Sequence, residues 1–234
     1  TFPLPIDAIT IDLDGTLLDT IPDLAMAANA MLRELGRVEL PESMLRTFVG
    51  KGIQRLVERT LTGSVDGRAS GSELESALPI FERIYAGING RHTTLYPGVL
   101  EALQAFSDRG FRLACVTNKS GRYTGPLLEV MGIARFFEIT VSGDTLARKK
   151  PDPLPLLHVC GHFGIEPGRM LMIGDSLNDA QAARSAGCPV FCVTYGYNEG
   201  HDVRMLDIDA IVDSLPESLP LVARSASLQT GASA

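Results

Sequence analysis

The chain has 234 residues, of which 45% are hydrophobic and 21% are charged, and its formal net charge is −7. This composition is typical of a globular protein with a substantial core, and an acidic chain without a long basic run is a poor match to proteins that bind nucleic acid. No apolar stretch reaches the roughly 18 residues that a membrane-spanning helix needs, and no secretory-signal pattern is visible, so we expect a cytoplasmic protein without a membrane partner.

The first predicted element is a strand over residues 8–11, and the region after it contains no convincing strand. From about residue 22 to residue 88, apolar residues recur at helical spacing, as in residues 23–32, which begin with Asp23. We therefore expect an all-helical insert over residues 19–91.

Beyond this insert, short apolar runs alternate with longer helical patterns. The runs that predict strands are residues 112–116, 139–141, 170–173, 190–193 and 210–212. The patterns that predict helices are residues 100–107, 125–131, 153–163 and 179–186. This alternation predicts an α/β core domain, formed by residues 1–18 and 92–222, in which helices cover both faces of a parallel sheet. The small and polar residues 223–234 are expected to form a disordered tail.

The four cysteines are expected to be reduced and buried. Cys115 and Cys192 lie inside apolar, strand-like runs, and neither these two nor Cys160 and Cys188 have a CxxC spacing. A zinc site or a disulfide is the alternative.

Asp12 and Asp14 follow the first predicted strand directly, and Gly15 and Thr16 after them permit a sharp turn. If extended backbone continues to Asp14, both carboxylates lie on the same side of the strand. Such a pair suits a division of labour in which one carboxylate attacks and the other transfers a proton. A turn with two solvated acids is the alternative, since Asp-Gly is common in turns.

A second acidic segment, residues 174–179, follows the strand predicted over residues 170–173. Asp175 lies at the strand end, and Asp179 lies four residues later, about one helical turn away. Carboxylates in this arrangement can bind a hard cation such as Mg²⁺, directly or through water. Helix capping by the two acids is the alternative, but it does not account for the whole polar segment.

Two further polar segments complete the set. Thr117 and Asn118 follow the strand predicted over residues 112–116, where a hydroxyl and backbone amides can hold a phosphate, although a helix cap has the same pattern. Lys150, which precedes Pro151, offers a positive charge to a phosphate or carboxylate, although an isolated lysine usually lies on the surface. Because parallel strands end at one edge of a sheet, we expect these side chains to meet there.

In this order, residues 12–16, 117–118, 149–151 and 174–179 resemble the four signature motifs of the haloacid dehalogenase superfamily. The similarity extends from residue 8 to about residue 196. It implies a three-layer α/β sandwich with a Rossmann-like sheet, and the insert directly after the first motif is similar to that family's helical cap domain.

The resemblance implies roles for the catalytic residues. Asp12 is expected to be the nucleophile that forms an aspartyl-phosphate. Asp14 is expected to be the general acid for the leaving alcohol and then the general base for water. Thr117 and Lys150, assisted by Asn118, are expected to hold the phosphoryl oxygens.

The resemblance also implies a magnesium cofactor. Asp12, the backbone carbonyl of Asp14, and Asp175 are expected to bind Mg²⁺. Asp179 is expected either to hold a metal-bound water or to orient Lys150.

Three stretches are similar to the phosphoglycolate phosphatases of this superfamily: residues 12–32, the cap segment 48–59, and residues 193–198. The similarity implies that the partner is a small phosphorylated metabolite, 2-phosphoglycolate. Gly50 permits a tight turn in the cap segment, and Lys51 or Arg55 is expected to contact the substrate carboxylate, with a solvated helix start as the alternative. We expect a monomer or a homodimer.

Several other activities are compatible with the same motifs. They are hydrolysis of a sugar phosphate or of pyrophosphate, a β-phosphoglucomutase-like transfer, and phosphonate cleavage with Lys51 as a Schiff-base lysine. A non-catalytic ligand-binding domain is the alternative from another class, but such a domain is expected to lack the nucleophile or the metal-binding acids, and every expected acid is present here.

Overall fold

The structure, a computed structural model, describes residues 1–225. Its strands are β1 (Leu4–Ile6), β2 (Ala8–Ile11), β3 (Leu18–Asp19), β4 (Thr94–Leu95), β5 (Arg112–Val116), β6 (Ile139–Val141), β7 (Met170–Gly174), β8 (Val190–Val193), β9 (Ala210–Val212) and β10 (Val222–Arg224). Its α-helices are α1 (Ile21–Glu34), α2 (Glu42–Arg46), α3 (Ile53–Thr62), α4 (Gly71–Ile88), α5 (Val99–Asp108), α6 (Gly121–Val130), α7 (Leu154–Phe163) and α8 (Leu177–Ala186).

Six strands form one parallel sheet in the order β6-β5-β2-β7-β8-β9. Strand β2 therefore lies between β5 and β7. Its last residue, Ile11, pairs with Cys115 of β5 and Ile173 of β7, so the three strands end at nearly the same level. The predicted α/β fold is confirmed, and the residues that follow these three strands lie side by side at the carboxyl edge of the sheet.

Helices cover both faces of the sheet because its central strands are apolar on both sides. Strand β2 shows the alternation. Ile9 and Ile11 pack into a core cluster with α5 and α6, whereas Ala8 packs into a second cluster with α7 and α8. The sheet is thus held between two helical layers, which keeps its carboxyl edge in a fixed position.

Helices α1 to α4 form the insert expected after the first strand. Their apolar side chains build a third cluster, which includes Met31 of α1 and Phe81 of α4. The strands on either side of the insert, β3 and β4, pair as a short antiparallel ribbon. The division of the chain into a core domain and a cap domain stays a prediction.

The prediction of a disordered tail is wrong for its first residues, Ala223 and Arg224. Ala223 and Arg224 belong to β10, which pairs in parallel with β1, and the Ser225 N–H donates to the Ile6 carbonyl at 3.1 Å. Ladder hydrogen bonds to a strand at the other end of the chain order this segment, and its composition does not show them. Residues 226–234 lie outside the described residues.

The four cysteines are buried free thiols, as expected. Among residues 1–225, no helix combines the length and the apolar character needed to cross a bilayer.

Asp23, in the first turn of α1, is a buried carboxylate that joins the two ends of the insert. It accepts hydrogen bonds from the N–H groups of Gly90, His92 and Thr93 at 2.9, 2.9 and 3.1 Å, and from the Thr93 hydroxyl at 2.7 Å. These donors come directly after α4. They replace the water that the buried charge loses on folding.

Asp23→Asn is expected to lower the free energy of unfolding by about 2–3 kcal/mol, because the amide group would face backbone donors and leave at least one of them unpaired. Chemical denaturation followed by circular dichroism measures this change. Asp66→Asn, at an exposed position of the same insert, should change it by less than about 0.5 kcal/mol. Equal stability of the two variants would show that Asp23 does not hold the insert together.

Candidate active site

Polar side chains from three strand ends meet at the carboxyl edge of the sheet. Asp12 follows β2, Thr117 follows β5 and Asp175 follows β7. They line a cavity of about 40 Å³ between this edge and the helical insert. The insert contributes Leu24, Val49, Gly50, Gly52, Ile53 and Leu56 to its walls. The sheet edge and the insert therefore both form the walls of the cavity.

Lys150 is a buried ammonium group between two carboxylates. Its Nζ lies 2.8 Å from Asp12 Oδ1 and 2.6 Å from Asp179 Oδ1, and it donates to the Val116 carbonyl at 2.6 Å. Burial acts to lower the pKa of Lys150, but the two carboxylates outweigh it and raise this pKa above its usual value. Lys150 therefore stands beside Asp12 as a permanent positive charge.

Asp179 is fully buried and uses both carboxylate oxygens. Oδ1 accepts from Lys150, while Oδ2 accepts from the N–H groups of Asp175 and Ser176 at 3.2 and 3.1 Å and from the Ser176 hydroxyl at 2.7 Å. The second set is a capping box at the start of α8. A side chain at Gly174 would collide with the Asp179 carboxylate, so glycine is required there. These contacts favour orientation of Lys150 over direct metal binding as the role of Asp179.

Asp175 is held from two sides. Its Oδ2 accepts from the Tyr197 N–H at 2.6 Å, and its Oδ1 accepts from the Thr16 hydroxyl at 3.2 Å. A Cβ atom on Gly15 or Gly196 would collide with the Asp175 side chain, and Gly15 has a φ of +89°, which strains other residues. The turn after β2 and the segment after β8 both close around this carboxylate because glycine lets them approach.

Three acidic side chains lie close together in the cavity. Burial raises the pKa of Asp12 to about 7, with Lys150 opposing the shift and Asp179 adding to it. Burial and the charge of Asp12 raise the pKa of Asp175 well above its usual value. Carboxylate oxygens of Asp12, Asp175 and Asp179 lie within 4.8 Å of one another. An all-oxygen set is what Mg²⁺ prefers, and its charge would favour the ionised carboxylates. Asp12 and Asp175 therefore fit a magnesium site, with Asp179 beside it as the partner of Lys150.

Asn118 links the insert to the sheet edge. Its Nδ2 donates to the carbonyls of Lys150 and Gly50, each at 2.9 Å. Its Oδ1 is buried and has no partner among residues 1–225, which marks a place where water or a ligand donor can bind. Thr117 is also buried at the cavity wall, where its hydroxyl accepts from the Lys119 N–H at 3.2 Å.

Of the three insert residues expected to contact the substrate, Gly50 lines the cavity and the two cations do not. The Lys51 Nζ pairs with Glu199 at 3.1 Å, and its side chain is 43% exposed. Arg55 pairs with Glu58 at 2.8 Å and donates to carbonyls in the loop after α3. This geometry does not support contact between either side chain and a ligand in the cavity.

Sequence patterns did not point to Lys119 or Tyr85. Lys119 is buried, and its Nζ lies 3.1 Å from Asp14 Oδ1 and donates to the Tyr85 hydroxyl at 2.6 Å. Burial raises the pKa of Tyr85 to about 12, so this hydroxyl keeps its proton. The available signal for Lys119 was its place two residues after Thr117, whereas Tyr85 lies in the last turn of an ordinary amphipathic helix, α4.

Comparisons with known proteins agree with this arrangement. A family model described as haloacid dehalogenase-like hydrolase matches residues 6–187. A phosphoglycolate phosphatase from Nitrosospira multiformis is 58% identical over 96% of this chain and 99% of its own. One from Thiobacillus denitrificans is 50% identical over 96% of this chain and 99% of its own.

A solved structure gives the same result. The crystal structure of a predicted phosphoglycolate phosphatase from Haemophilus somnus 129PT superposes with a TM-score of 0.86 at 34% identity, over 92% of this chain and 96% of that one. The resemblance seen in the motifs, and the nearer resemblance to phosphoglycolate phosphatases, are both confirmed.

Mg²⁺ is expected to raise the melting temperature, because a ligand that binds only the folded state stabilises it by mass action. Asp175→Asn should remove most of this increase, since it takes one carboxylate out of the cluster. Asp108→Asn, at an exposed position of α5, should retain it. Thermal unfolding over a MgCl₂ series, with EDTA as the zero point, measures the shift. An unchanged response in Asp175→Asn would remove Asp175 from the set of magnesium ligands.

Proposed function

This chain belongs to the haloacid dehalogenase-like hydrolases, and we propose that it is a Mg²⁺-dependent phosphatase that acts through an aspartyl-phosphate on Asp12. One observation carries the proposal. The Asp12 carboxylate faces a small cavity, 2.8 Å from the ammonium group of Lys150 and within an oxygen cluster that fits a cation. A nucleophile beside a fixed positive charge is what phosphoryl transfer requires.

The substrate that we propose is 2-phosphoglycolate. Two relatives named phosphoglycolate phosphatase are 58% and 50% identical to nearly the whole chain, which includes the insert that lines the cavity.

In the first step, a carboxylate oxygen of Asp12 attacks phosphorus, and the bond from phosphorus to the ester oxygen breaks. We expect the positive charge of Lys150 and the Thr117 hydroxyl to stabilise the phosphoryl oxygens, because both residues line the cavity with Asp12. Their contribution is positioning and charge stabilisation, which dominate phosphoryl transfer.

Asp14 moves the proton in both steps. It protonates the leaving ester oxygen, which becomes the hydroxyl of glycolate. A water molecule then attacks the phosphorus of the aspartyl-phosphate and gives a proton to Asp14, while the bond from phosphorus to Asp12 breaks. Phosphate leaves, and both carboxyl groups return to their initial state.

Asp12, the backbone carbonyl of Asp14, and Asp175 are the groups that would hold Mg²⁺. The ion would supply positive charge against the repulsion between a phosphate dianion and the surrounding carboxylates. Asp179 keeps its contacts with Lys150 and the start of α8, and so maintains the orientation of the ammonium group.

Phosphonate cleavage is not supported by the position of Lys51. A Schiff-base lysine must reach the substrate carbonyl from the cavity wall. The Lys51 ammonium instead pairs with Glu199 and is partly exposed outside the cavity.

With Mg²⁺, the purified protein is expected to have its highest kcat/KM for 2-phosphoglycolate within a panel of small phosphate esters, measured as phosphate release. Asp12→Asn should lower kcat on the order of 10⁴-fold or more, because the amide is not a nucleophile. Asp66→Asn serves as the exposed control. A higher kcat/KM for another ester in the panel would overturn the proposal that 2-phosphoglycolate is the substrate, but not the proposal that the protein is a phosphatase. Absence of phosphate release from every ester would overturn both.

A further inference from the structure

If the proposed function holds, the enzyme must recognise a carboxylate as well as a phosphate. A carboxylate taken into a buried site needs a cationic or hydrogen-bonding partner. Among the described residues that line the cavity, the cationic side chains are Lys119 and Lys150. The carboxylate-binding group must be sought between these two, since Lys51 and Arg55 are engaged by glutamates outside the cavity.

All three N–H donors of the Lys150 ammonium group are already used. An ammonium group has three N–H donors. Those of Lys150 are taken by Asp12, Asp179 and the Val116 carbonyl. A substrate carboxylate beside it would also compete with the phosphoryl group for the same charge.

Lys119 has a donor to spare. Its Nζ lies 3.1 and 3.5 Å from the two oxygens of Asp14, which one forked N–H can serve, and a second N–H donates to the Tyr85 hydroxyl. The third N–H has no other acceptor within residues 1–225. The Lys119 side chain is 3% exposed, so bulk water does not satisfy this donor, and it is available to a ligand in the cavity.

The contact with Asp14 places this ammonium group near the leaving group of the substrate. To receive a proton, the ester oxygen must lie within hydrogen-bond distance of Asp14. In 2-phosphoglycolate, one methylene group separates that oxygen from the carboxylate. A carboxylate so close to the ester oxygen falls within reach of an ammonium group 3.1 Å from the same Asp14.

We propose that Lys119 is the specificity-determining residue that binds the carboxylate of an acid phosphorylated at its α-hydroxyl, and that Tyr85 is a positioning residue that holds the Lys119 ammonium from the insert. The Tyr85 ring is fully buried and packs against Phe81 and Tyr123, with centroid distances of 5.6 and 4.9 Å. The position of the Tyr85 hydroxyl is therefore fixed.

A pair of non-hydrolysable ligands tests recognition apart from catalysis. The first ligand, 3-phosphonopropionate, has the shape of 2-phosphoglycolate with a methylene group in place of the ester oxygen. The second, propylphosphonate, has a methyl group in place of the carboxylate. Calorimetric titration of the Mg²⁺-loaded full chain gives the Kd of each ligand for the wild type, for Lys119→Met and for Arg122→Met. The last is the control, since Arg122 is a cation with 62% side-chain exposure near the start of α6.

We expect Lys119→Met to weaken binding of 3-phosphonopropionate by about 10- to 100-fold, as for a lost charge-assisted hydrogen bond, and that of propylphosphonate by less than about 3-fold. Arg122→Met should leave both unchanged. If Lys119→Met still bound 3-phosphonopropionate more tightly than propylphosphonate by the wild-type ratio, the role of Lys119 would be overturned. The proposed phosphatase function would not be affected. Equal weakening of both ligands would also overturn this role of Lys119, which would then act only on the shape of the site.

Tyr85→Phe is the second variant, and it decides the matter if Lys119→Met does not fold. It removes one oxygen, leaves the buried ring in place, and should weaken 3-phosphonopropionate by about 3- to 10-fold with no effect on propylphosphonate. Equal Kd values of the two ligands for the wild type would overturn the carboxylate site. Hydrolysis of p-nitrophenyl phosphate, which has no carboxylate, reports in the same preparations whether the phosphatase function itself stands.

Discussion

The carboxyl edge of the sheet depends on one constraint, the crowding of four carboxylates, of which three are buried and Asp14 is partly buried. Asp12, Asp14, Asp175 and Asp179 share the cavity with two lysines, which leaves a formal charge of −2. Burial raises the pKa of Asp12 to about 7; Lys150 opposes this shift, and the like charges of Asp179 and Asp14 add to it. Hydrogen-bond donors offset the repulsion between these carboxylates. Lys150 lies between two of the acids, Lys119 pairs with a third, and backbone N–H groups donate to the remaining one. A divalent cation bound to these acids would offset the same repulsion, so the set of acids fits a metal site.

The helical insert takes part in this balance through polar contacts with residues next to the strand ends. The Gly50 carbonyl accepts from Asn118, and the Tyr85 hydroxyl accepts from Lys119. On the opposite side, Glu199 pairs with the buried Arg59 at 2.8 Å. Because these partners sit beside Asp12, Asp14 and Asp175, the packing of the insert and the geometry of the acids are linked. A substrate that enters between them must satisfy both the sheet edge and the insert.

The strands of the main sheet and the acidic residues at their ends could be predicted from the sequence, because both depend on local sequence patterns. A short apolar run followed by Asp12 or Asp175 predicts a strand and the group at its end, and the six strands of the main sheet were found in this way. Strands β1 and β10 were missed because each exists only by pairing with the other end of the chain. Lys51 and Arg55 were assigned to the substrate because they follow glycines in the cap segment. Their orientation is decided by Glu199 and Glu58, and the first of these partners is 148 residues away from Lys51. Lys119 and Tyr85 were missed for the same reason, since their contact joins an α-helix of the insert to the end of β5.

The proposed role of Lys119 makes substrate choice depend on the distance between two groups of the substrate. If Asp14 protonates the ester oxygen as proposed, a carboxylate one carbon from that oxygen lies within reach of Lys119, which is 3.1 Å from Asp14. A neutral ester would leave the third N–H of Lys119 buried without a partner, which carries a cost in binding free energy of about 1–3 kcal/mol. Under this proposal, proton transfer and carboxylate recognition involve two side chains that contact each other, Asp14 and Lys119. Under this proposal, substrate specificity resides at the contact between the insert and the sheet edge, not in Lys51 and Arg55, which pair with glutamates.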